Sequence, residues 1–172
     1  MSENIIFRKA ITEDIDCIIR IIRQAQLYLK ANMINQWQNN YPNKETILKD
    51  IENENSYVLL NDGRIIATTA VIFEKENTYD NIYKGHWLSS EKYVTIHRIA
   101  LDNEYKGEGF ATLMIEKIEH LSKINNVFSI RVDTHKDNIR MKKFLVKNGF
   151  QYCGIIYLKD GNERLAYEKV LL

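Results

Sequence analysis

Residues 94–111 read VTIHRIALDNEYKGEGFA, and this stretch decides the fold class of the chain. An apolar segment rich in β-branched residues, which predicts a strand, runs into a short polar loop. The loop ends in Gly107 and Gly109, just before an amphipathic helix begins. Because glycine carries no Cβ, such a loop can bring backbone N–H groups together at one point. Those groups and the positive end of the helix dipole favour an anion, and we expect a pyrophosphate.

The composition of the 172 residues is typical of an ordinary globular protein, with 45% hydrophobic and 27% charged residues. The length suits one domain spanning residues 1–172. A formal net charge of +1 disfavours nucleic acid and acidic membranes as partners. We find no signal peptide, and no apolar run approaches the roughly 20 residues of a membrane span.

The two cysteines, Cys17 and Cys153, are far apart in the sequence and belong to no metal-binding cluster. This spacing is typical of free thiols in a reducing compartment. We therefore expect a cytoplasmic protein without a metal site.

Hydrophobic periodicity predicts the element order β-α-α-β-β-β-α-β-α-β-β, a mixed sheet with helices on its faces. Asp-Gly pairs at 62–63 and 160–161 indicate two hairpins, and Gly149 is placed as the C-cap of the last helix. A long polar connection over 74–92 contains several aromatic residues; loops of this length usually carry function or are disordered. Thr12 is the expected cap of the first helix, whose apolar face contains Ile15, Ile18, Ile19, Ile22 and Leu29.

Two other folds also place glycines between a strand and a helix. In a dinucleotide-binding fold, Asp133 would supply the ribose-binding acid after the next strand. Against this, Thr112 occupies the third glycine position and five polar residues, 102–106, precede Gly107. A nucleotide P-loop is excluded because no Gly-Lys-Ser/Thr is present. An ordinary strand-to-helix turn remains the alternative for the glycine pair alone.

The glycine loop is accompanied by further motifs. Lys106-x-x-Gly109-x-Ala111 is followed by a strand, by Asn138 at the start of a helix, and by the sequence KNGF at 147–150. This series resembles the GNAT-type N-acetyltransferases, whose loop has the pattern Gln/Arg-x-x-Gly-x-Gly/Ala. The resemblance covers nearly the whole element order and is strongest over residues 94–160. Lys106 departs from the usual first residue but keeps a positive charge.

The resemblance implies a fold and a cofactor. The fold is an α/β (α+β) GNAT-like fold, with a mixed, mostly antiparallel sheet of six or seven strands and helices on both faces. At its centre, two parallel strands would splay apart, here those at 93–101 and 127–132. The cofactor is acetyl-CoA, whose pantetheine arm would lie in the gap like an extra strand.

The same resemblance implies the contacts to coenzyme A. Backbone N–H groups of the loop would hold the pyrophosphate, the strand before the loop would bind the pantetheine arm, and Asn138 would hydrogen-bond the arm or its acetyl end. Arg140, Lys142 and Lys143 favour the phosphorylated adenosine end electrostatically, although a solvated helix face explains them equally well. The predicted cofactor-binding residues are Ile99, Ala100, Leu101, Lys106, Gly107, Glu108, Gly109, Phe110, Ala111, Thr112, Asn138, Lys142 and Phe144.

Acetyl transfer to an amine requires a base, stabilisation of the carbonyl oxygen and release of the thiolate. His97 is the expected base, because it lies on the strand that would flank the acetyl group and imidazole titrates near neutrality. A packed strand histidine is the alternative, and Asp133 with His135 forms a second candidate base. A regular strand would direct Arg98 to the opposite face, but a bulge would change that assignment.

The resemblance also implies an oxyanion donor at the backbone N–H near Ile99 and a tyrosine on the last helix that protonates the sulfur. Leu145 occupies the position of that tyrosine in this chain. Tyr157, on the next strand, is the candidate replacement as catalytic acid, and a buried tyrosine with a structural hydrogen bond is the alternative. A covalent acetyl-cysteine route is disfavoured, because Cys153 has no positive neighbour in sequence and Cys17 lies within a helix.

The candidates for the acceptor pocket are Trp37, Gln38, Tyr41 and the connection 79–87, with a place in the core as the alternative for Trp37. The predicted function is N-acetyltransfer from acetyl-CoA to a primary amine of a small molecule or peptide, by direct attack in a ternary complex. A non-catalytic coenzyme A-binding sensor or scaffold, favoured by Leu145, and a nicotinamide-dependent enzyme remain the alternatives. The identity of the amine, and whether the protein forms a homodimer, stay open.

Overall fold

A computed structural model gives the structure of the protein and describes residues 4–172. Its helices and strands follow the predicted order. The strands are β1 (Ile5–Lys9), β2 (Ser56–Asn61), β3 (Arg64–Ile72), β4 (Val94–Leu101), β5 (Ser129–Thr134), β6 (Gln151–Tyr157) and β7 (Glu163–Val170). The helices are α1 (Ile15–Ala31), α2 (Lys44–Glu52), α3 (Phe110–Ile124) and α4 (Ile139–Lys147).

The strands hydrogen-bond in the order β1-β2-β3-β4-β5-β7-β6. Strands β4 and β5 are parallel, with Val94 opposite Ile130 and Thr95 opposite Arg131. The pairs β1–β2, β2–β3, β5–β7 and β6–β7 are antiparallel. The predicted mixed α/β fold, with seven strands and a parallel pair, is confirmed.

The chain forms two compact units. The first unit contains residues 4–71 and 97–117, and the second contains residues 72–96 and 118–172. Strand β4 and helix α3 each begin in one unit and end in the other.

In the first unit, α1 packs its apolar face into a core with α2 and the strands. The buried positions of α1 are Ile15, Ile18, Ile21, Ile22 and Leu29, whereas Ile19 is only partly buried. The predicted face therefore lacked Ile21, because the buried stripe of this helix is wider than the single row that the periodicity selected. Full burial of each such side chain contributes about 1.5–3 kcal/mol.

The start of α1 differs from the sequence prediction. Thr12 lies in a 3-10 turn and α1 begins only at Ile15, so the prediction of Thr12 as the helix cap is wrong. The carboxylate of Asp14 accepts a hydrogen bond from the N–H of Ile11 at 2.9 Å and pairs with both Nη atoms of Arg8 at 2.7 and 3.1 Å. Burial would raise the pKa of Asp14, but these hydrogen bonds hold it below its ordinary value.

In the second unit, the connection between β3 and β4 is packed against β6 and β7. Tyr79 is 1% exposed and packs with Ile156 and Ala166. Tyr83 exchanges two backbone hydrogen bonds with Ile155, both at 2.8 Å. Since β6 is the last strand in the hydrogen-bonding order, this bridge covers an edge that would otherwise be open to another chain.

Two glycines permit the close approach of this connection to β6. A Cβ on Gly85 would lie 1.9 Å from the carbonyl oxygen of Cys153. A Cβ on Gly154 would lie 2.6 Å from the carbonyl oxygen of Tyr83. The carbonyl oxygen of Tyr83 accepts a hydrogen bond in the bridge with Ile155, and Cys153 lies in β6 two residues before Ile155.

We expect Gly85→Ala to lower the free energy of unfolding by about 2 kcal/mol, because the added methyl group overlaps a backbone carbonyl. Urea denaturation measures this loss. The control is Gly63→Ala, in which the new Cβ meets no atom within 4 Å and only the left-handed φ of +81° is unfavourable. Equal losses in the two variants would contradict the steric explanation.

Candidate active site

The predicted pantetheine-binding residues lie at the end of β4 in the first unit. Ala100 is buried in the core with α1 and α2, while Ile99 and Leu101 pack on a second cluster that includes Ile66 and Met114. The side chains of Ile99 and Leu101 remain partly exposed. Because successive residues of this part of β4 contact different clusters, the strand has an apolar contact on each face.

Asp102 follows directly after β4 and fixes the start of the loop. Its fully buried carboxylate pairs with Arg20 at 2.7 Å and with Arg64 at 3.5 Å. It also accepts the N–H of Glu104 at 3.1 Å, and the N–H of Asp102 donates to the carbonyl oxygen of Ile66 at 2.8 Å. Burial would raise the pKa of Asp102, but the hydrogen bonds from Arg20 and Glu104 hold it below its ordinary value.

The loop then runs into α3 through two left-handed glycines. Gly107 has a φ of +83° and Gly109 a φ of +88°, and a Cβ on either would meet no atom within 4 Å. The N–H of Leu113 donates to the carbonyl oxygen of Gly109 at 3.0 Å. Phe110, Ala111 and Thr112 form the first turn of α3, where a helix has no acceptors of its own for the N–H groups. The backbone conformation and the open space that an anion site needs are both present here.

Lys106 and Glu108 flank the first of these glycines. The Nζ atom of Lys106 lies 5.5 Å from the centre of the Tyr28 ring, a cation–π contact with α1. Glu108 is exposed. Lys106 stands where the motif usually has glutamine or arginine, and its ammonium group is therefore held beside α1.

Strand β4 is irregular at Arg98, which has a φ of +53°. The guanidinium of Arg98 is bound to Asp50 of α2 by two hydrogen bonds of 2.7 Å, and it donates a third, of 3.0 Å, to the hydroxyl of Tyr41. His97, immediately before it, is half-buried, and its carbonyl oxygen lies 3.3 Å from the hydroxyl of Thr69. The orientation expected from a regular strand therefore does not apply.

The residues of the first unit that were predicted to line the pocket for the amine make different contacts. Trp37 packs against the core of α1 and α2, as its alternative assignment predicted. The side-chain amide of Gln38 donates to the carbonyl oxygens of Gln26 and Gln36, at 3.2 and 3.1 Å. Tyr41 is 46% exposed and presents part of its ring to solvent.

In the second unit, the predicted cofactor residues lie at the start of α4. The side-chain oxygen of Asn138 caps this helix, accepting the N–H of Met141 at 3.2 Å. Lys142 donates to the carbonyl oxygen of Lys136 at 2.9 Å, and Phe144 is half-buried. Leu145 is 1% exposed, so an apolar core side chain stands where the resemblance implies a catalytic tyrosine.

In the second candidate base, one oxygen of Asp133 and the Nδ1 atom of His135 each accept a hydrogen bond. The hydroxyl of Tyr79 donates to Asp133 at 2.6 Å, and burial together with the Asp133 charge raises the pKa of Tyr79 well above its ordinary value. The Nδ1 atom of His135 accepts the N–H of Asp137 at 3.1 Å, and burial and Arg164 lower the pKa of His135. A neutral imidazole in this arrangement carries its proton on Nε2 and has no second acceptor for an amine proton.

Tyr157 is 44% exposed, and its ring lies edge-on to that of Tyr83, with 5.4 Å between the ring centres. It is therefore not the buried tyrosine of the alternative assignment. A pocket of about 430 Å³ opens elsewhere in the second unit. Tyr79 and Trp87 from the predicted acceptor connection contribute to its wall, together with Arg131 of β5.

Arg131 and Glu168 form a buried ion pair that the sequence analysis missed. Glu168 is fully buried and accepts hydrogen bonds from Arg131 at 3.2 Å, from the hydroxyl of Ser129 at 2.5 Å and from the N–H of Leu88 at 2.6 Å. The guanidinium of Arg131 lies 4.2 and 4.0 Å from the ring centres of Trp87 and Tyr93. This cluster attaches the β3–β4 connection to β5 and β7.

Cys17 and Cys153 are free thiols, as their spacing predicted. Within residues 4–172, no group of three or more His, Cys, Asp or Glu side chains is arranged to hold a metal ion. None of the helices in this described part of the chain has both the length and the apolarity needed to cross a membrane.

Comparisons with known proteins agree with the fold. The model of the acetyltransferase (GNAT) family matches residues 24–150. A GNAT-family acetyltransferase from Streptococcus agalactiae is 36% identical, with 98% of this chain and 96% of that chain covered and a TM-score of 0.89. A GNAT-family acetyltransferase from Listeria monocytogenes is 21% identical, with 99% of both chains covered and a TM-score of 0.75.

The PaiA N-acetyltransferase from Thermoplasma acidophilum, solved in complex with coenzyme A, is 18% identical, with 97% of this chain and 99% of that chain covered and a TM-score of 0.71. A comparison with curated protein sequences gives no significant match. The match to the family model and the 36% identity to the Streptococcus agalactiae protein indicate an acyltransferase. The chain belongs to the GNAT acetyltransferase family, whose members use acetyl-CoA.

We expect Asp102→Asn to lower the free energy of unfolding at pH 7 by about 2 kcal/mol, because charge-assisted hydrogen bonds to a buried carboxylate are lost. The pKa of Asp102 is lower in the folded state, so its stabilisation is complete above the unfolded value of about 3.9 and is lost as the pH falls through the folded value. Urea denaturation at several pH values measures the difference from wild type. Asp16→Asn, exposed on α1, is the control, and a difference that persists unchanged below pH 3 would contradict the assignment.

We expect iodoacetamide at pH 8 to label Cys17 and to leave Cys153 unmodified in the folded protein. Cys17 is exposed, whereas burial raises the pKa of Cys153 to about 11 and so suppresses the reactive thiolate. Peptide mass spectrometry gives the labelled fraction of each thiol, and labelling in urea shows that both thiols can react. Similar labelling of the two thiols in the folded state would count against this assignment.

Proposed function

We propose that the protein transfers the acetyl group of acetyl-CoA to a primary amine of a small molecule or a peptide, by direct attack in a ternary complex. The main observation in support of this proposal is the pair of left-handed glycines, Gly107 and Gly109, in open space at the start of α3. In a chain of the GNAT family, this arrangement is suited to the diphosphate of coenzyme A.

The residues of the first unit fit this cofactor. Backbone N–H groups of residues 107–112 would hold the diphosphate, and Lys106 adds a positive charge at the start of the loop. The edge of β4 at Ile99–Leu101 would bind the amide groups of the pantetheine arm through its backbone. The coenzyme A found with the PaiA protein, which has the same fold, supports this assignment.

The chemistry needs a base, because a free alkyl amine has a pKa of about 10 and is protonated at neutral pH. When bound, acetyl-CoA supplies the activated thioester. His97 would accept the proton that the attacking amine loses, directly or through one water molecule. The backbone N–H of Ile99 would donate a hydrogen bond to the carbonyl oxygen as negative charge builds on it.

Departure of the sulfur requires less help. A thiol with a pKa of roughly 8.5 leaves as a thiolate near neutral pH, so the apolar Leu145 does not prevent the reaction. Tyr157, which is 44% exposed, is the side chain that we propose as proton donor.

Leu145 is also the specific observation that favours a second function, a non-catalytic coenzyme A-binding sensor or scaffold. Its side chain is 1% exposed and supplies no proton. Release of free thiol from acetyl-CoA, measured over a panel of small amines, polyamines and peptides, separates the two functions. Acceptor-dependent release supports the transferase, whereas tight coenzyme A binding with no release for any amine supports the sensor.

We expect His97→Ala to lower kcat by about 100-fold or more, because the proton acceptor is lost. The fall in rate toward acidic pH should disappear from the pH–rate profile for the same reason. Thiol release between pH 5.5 and 9.5 measures both effects. His120→Ala, an exposed histidine on α3, is the matched control and should behave as wild type. Unchanged turnover over the full pH range would exclude His97 as the base.

A further inference from the structure

Arg98 in β4 adopts a left-handed backbone conformation that most non-glycine residues avoid. At a φ of +53°, the Cβ of Arg98 crowds the backbone carbonyl oxygen, so a non-glycine residue stays there only when its surroundings hold it. Its two neighbours are His97 and Ile99, the proposed base and the proposed donor to the carbonyl oxygen. The backbone torsions of Arg98 therefore set the directions of both groups.

A buried ion pair holds this residue. The Nε and Nη2 atoms of Arg98 each lie 2.7 Å from one oxygen of Asp50, and the two side chains are only 12% and 11% exposed. This two-point geometry fixes the plane of the guanidinium as well as its distance. The Nη1 atom donates to Tyr41 at 3.0 Å, so all three groups of the guanidinium are engaged.

The carboxylate of Asp50 is itself attached to a rigid element. Asp50 lies on α2, whose Ile47 is 2% exposed and packs in the core with Ala100 of β4. Leu48 and Ile51 of the same helix pack against this core. The core thus fixes α2, and α2 presents a carboxylate at one place to the side chain of Arg98.

Neither side chain is suited to act on a substrate directly. Both oxygens of Asp50 are bound to the guanidinium, which leaves no strong acceptor for an amine proton. Burial alone would lower the pKa of Arg98, but Asp50 and Tyr41 raise it above its ordinary value, so Arg98 stays charged and cannot serve as a base.

We propose that Asp50 and Arg98 are positioning residues for acetyl transfer: their ion pair holds the left-handed turn in β4 and so orients His97 and the N–H of Ile99. This inference rests on the proposed function. Tyr41 supports the same geometry through Arg98.

The experiment compares Arg98→Ala with Arg98→Gly, since both lose the ion pair but only glycine accepts a φ of +53° without strain. Arg98→Ala should lower kcat by about 10- to 100-fold, while KM for acetyl-CoA changes by less than about threefold. Arg98→Gly should recover about tenfold of this loss. Arg8→Ala is the matched control, because it removes another two-point pair, with Asp14, from a strand of the same unit and should keep wild-type kcat.

Asp50→Asn provides an independent arm. It should lower kcat by about tenfold in the wild-type background and by less than about twofold in the Arg98→Gly background, because the residue it restrains is then free of strain. Hydrogen exchange of residues 97–101 should be faster in Arg98→Ala and Asp50→Asn than in wild type and in Arg8→Ala.

Each outcome has a distinct meaning. Equal kcat in Arg98→Ala and Arg98→Gly, or wild-type kcat in Asp50→Asn, overturns the positioning role. Failure of the wild-type protein to release thiol with any amine overturns the proposed function and the catalytic role of the pair with it. In that case the exchange of residues 97–101 still decides whether the ion pair holds the strand, and unchanged exchange in both variants overturns that part too.

Discussion

One buried negative charge, the carboxylate of Asp102, determines the arrangement of the first unit. A carboxylate removed from water is costly unless charged and polar partners surround it. Its partners come from α1 through Arg20, from β3 through Arg64 and from the loop through the N–H of Glu104. Helix, strand and loop must therefore be in place together, and the position at which β4 gives way to the glycine loop follows from this requirement.

The second unit contains a comparable constraint. Glu168 is fully buried, and its partners are Arg131, Ser129 and the N–H of Leu88 in the β3–β4 connection. The ring centres of Trp87 and Tyr93 lie 4.2 and 4.0 Å from the guanidinium of Arg131, so these contacts also join the connection to β5. In both units a buried carboxylate fixes a segment that the sequence pattern alone describes as a polar loop.

The elements that sequence reasoning predicted well are those that local signals determine. These signals depend only on residues close in sequence, and the structure agrees with them. They are the glycines at 107 and 109, the Asp-Gly hairpins and the apolar periodicity of α1 and α3. The ion pairs that sequence reasoning did not find join partners distant in sequence: Arg20 and Asp102 are 82 residues apart, and Asp50 and Arg98 are 48 apart. The Thr12 cap failed because Asp14, paired with Arg8, satisfies that turn instead. The loop of the candidate site was thus predictable, whereas the side chains that restrain it were not.

The central claim is that the N–H groups of the loop and of the first turn of α3 bind the diphosphate of coenzyme A. Calorimetric titration of the purified protein with coenzyme A and with pantetheine, which lacks the diphosphate and the nucleotide, tests this claim most directly. We expect coenzyme A to bind at least about 100-fold more tightly than pantetheine, a difference of about 2.7 kcal/mol. Equal affinity for the two compounds, or no heat of binding for coenzyme A, would contradict the account.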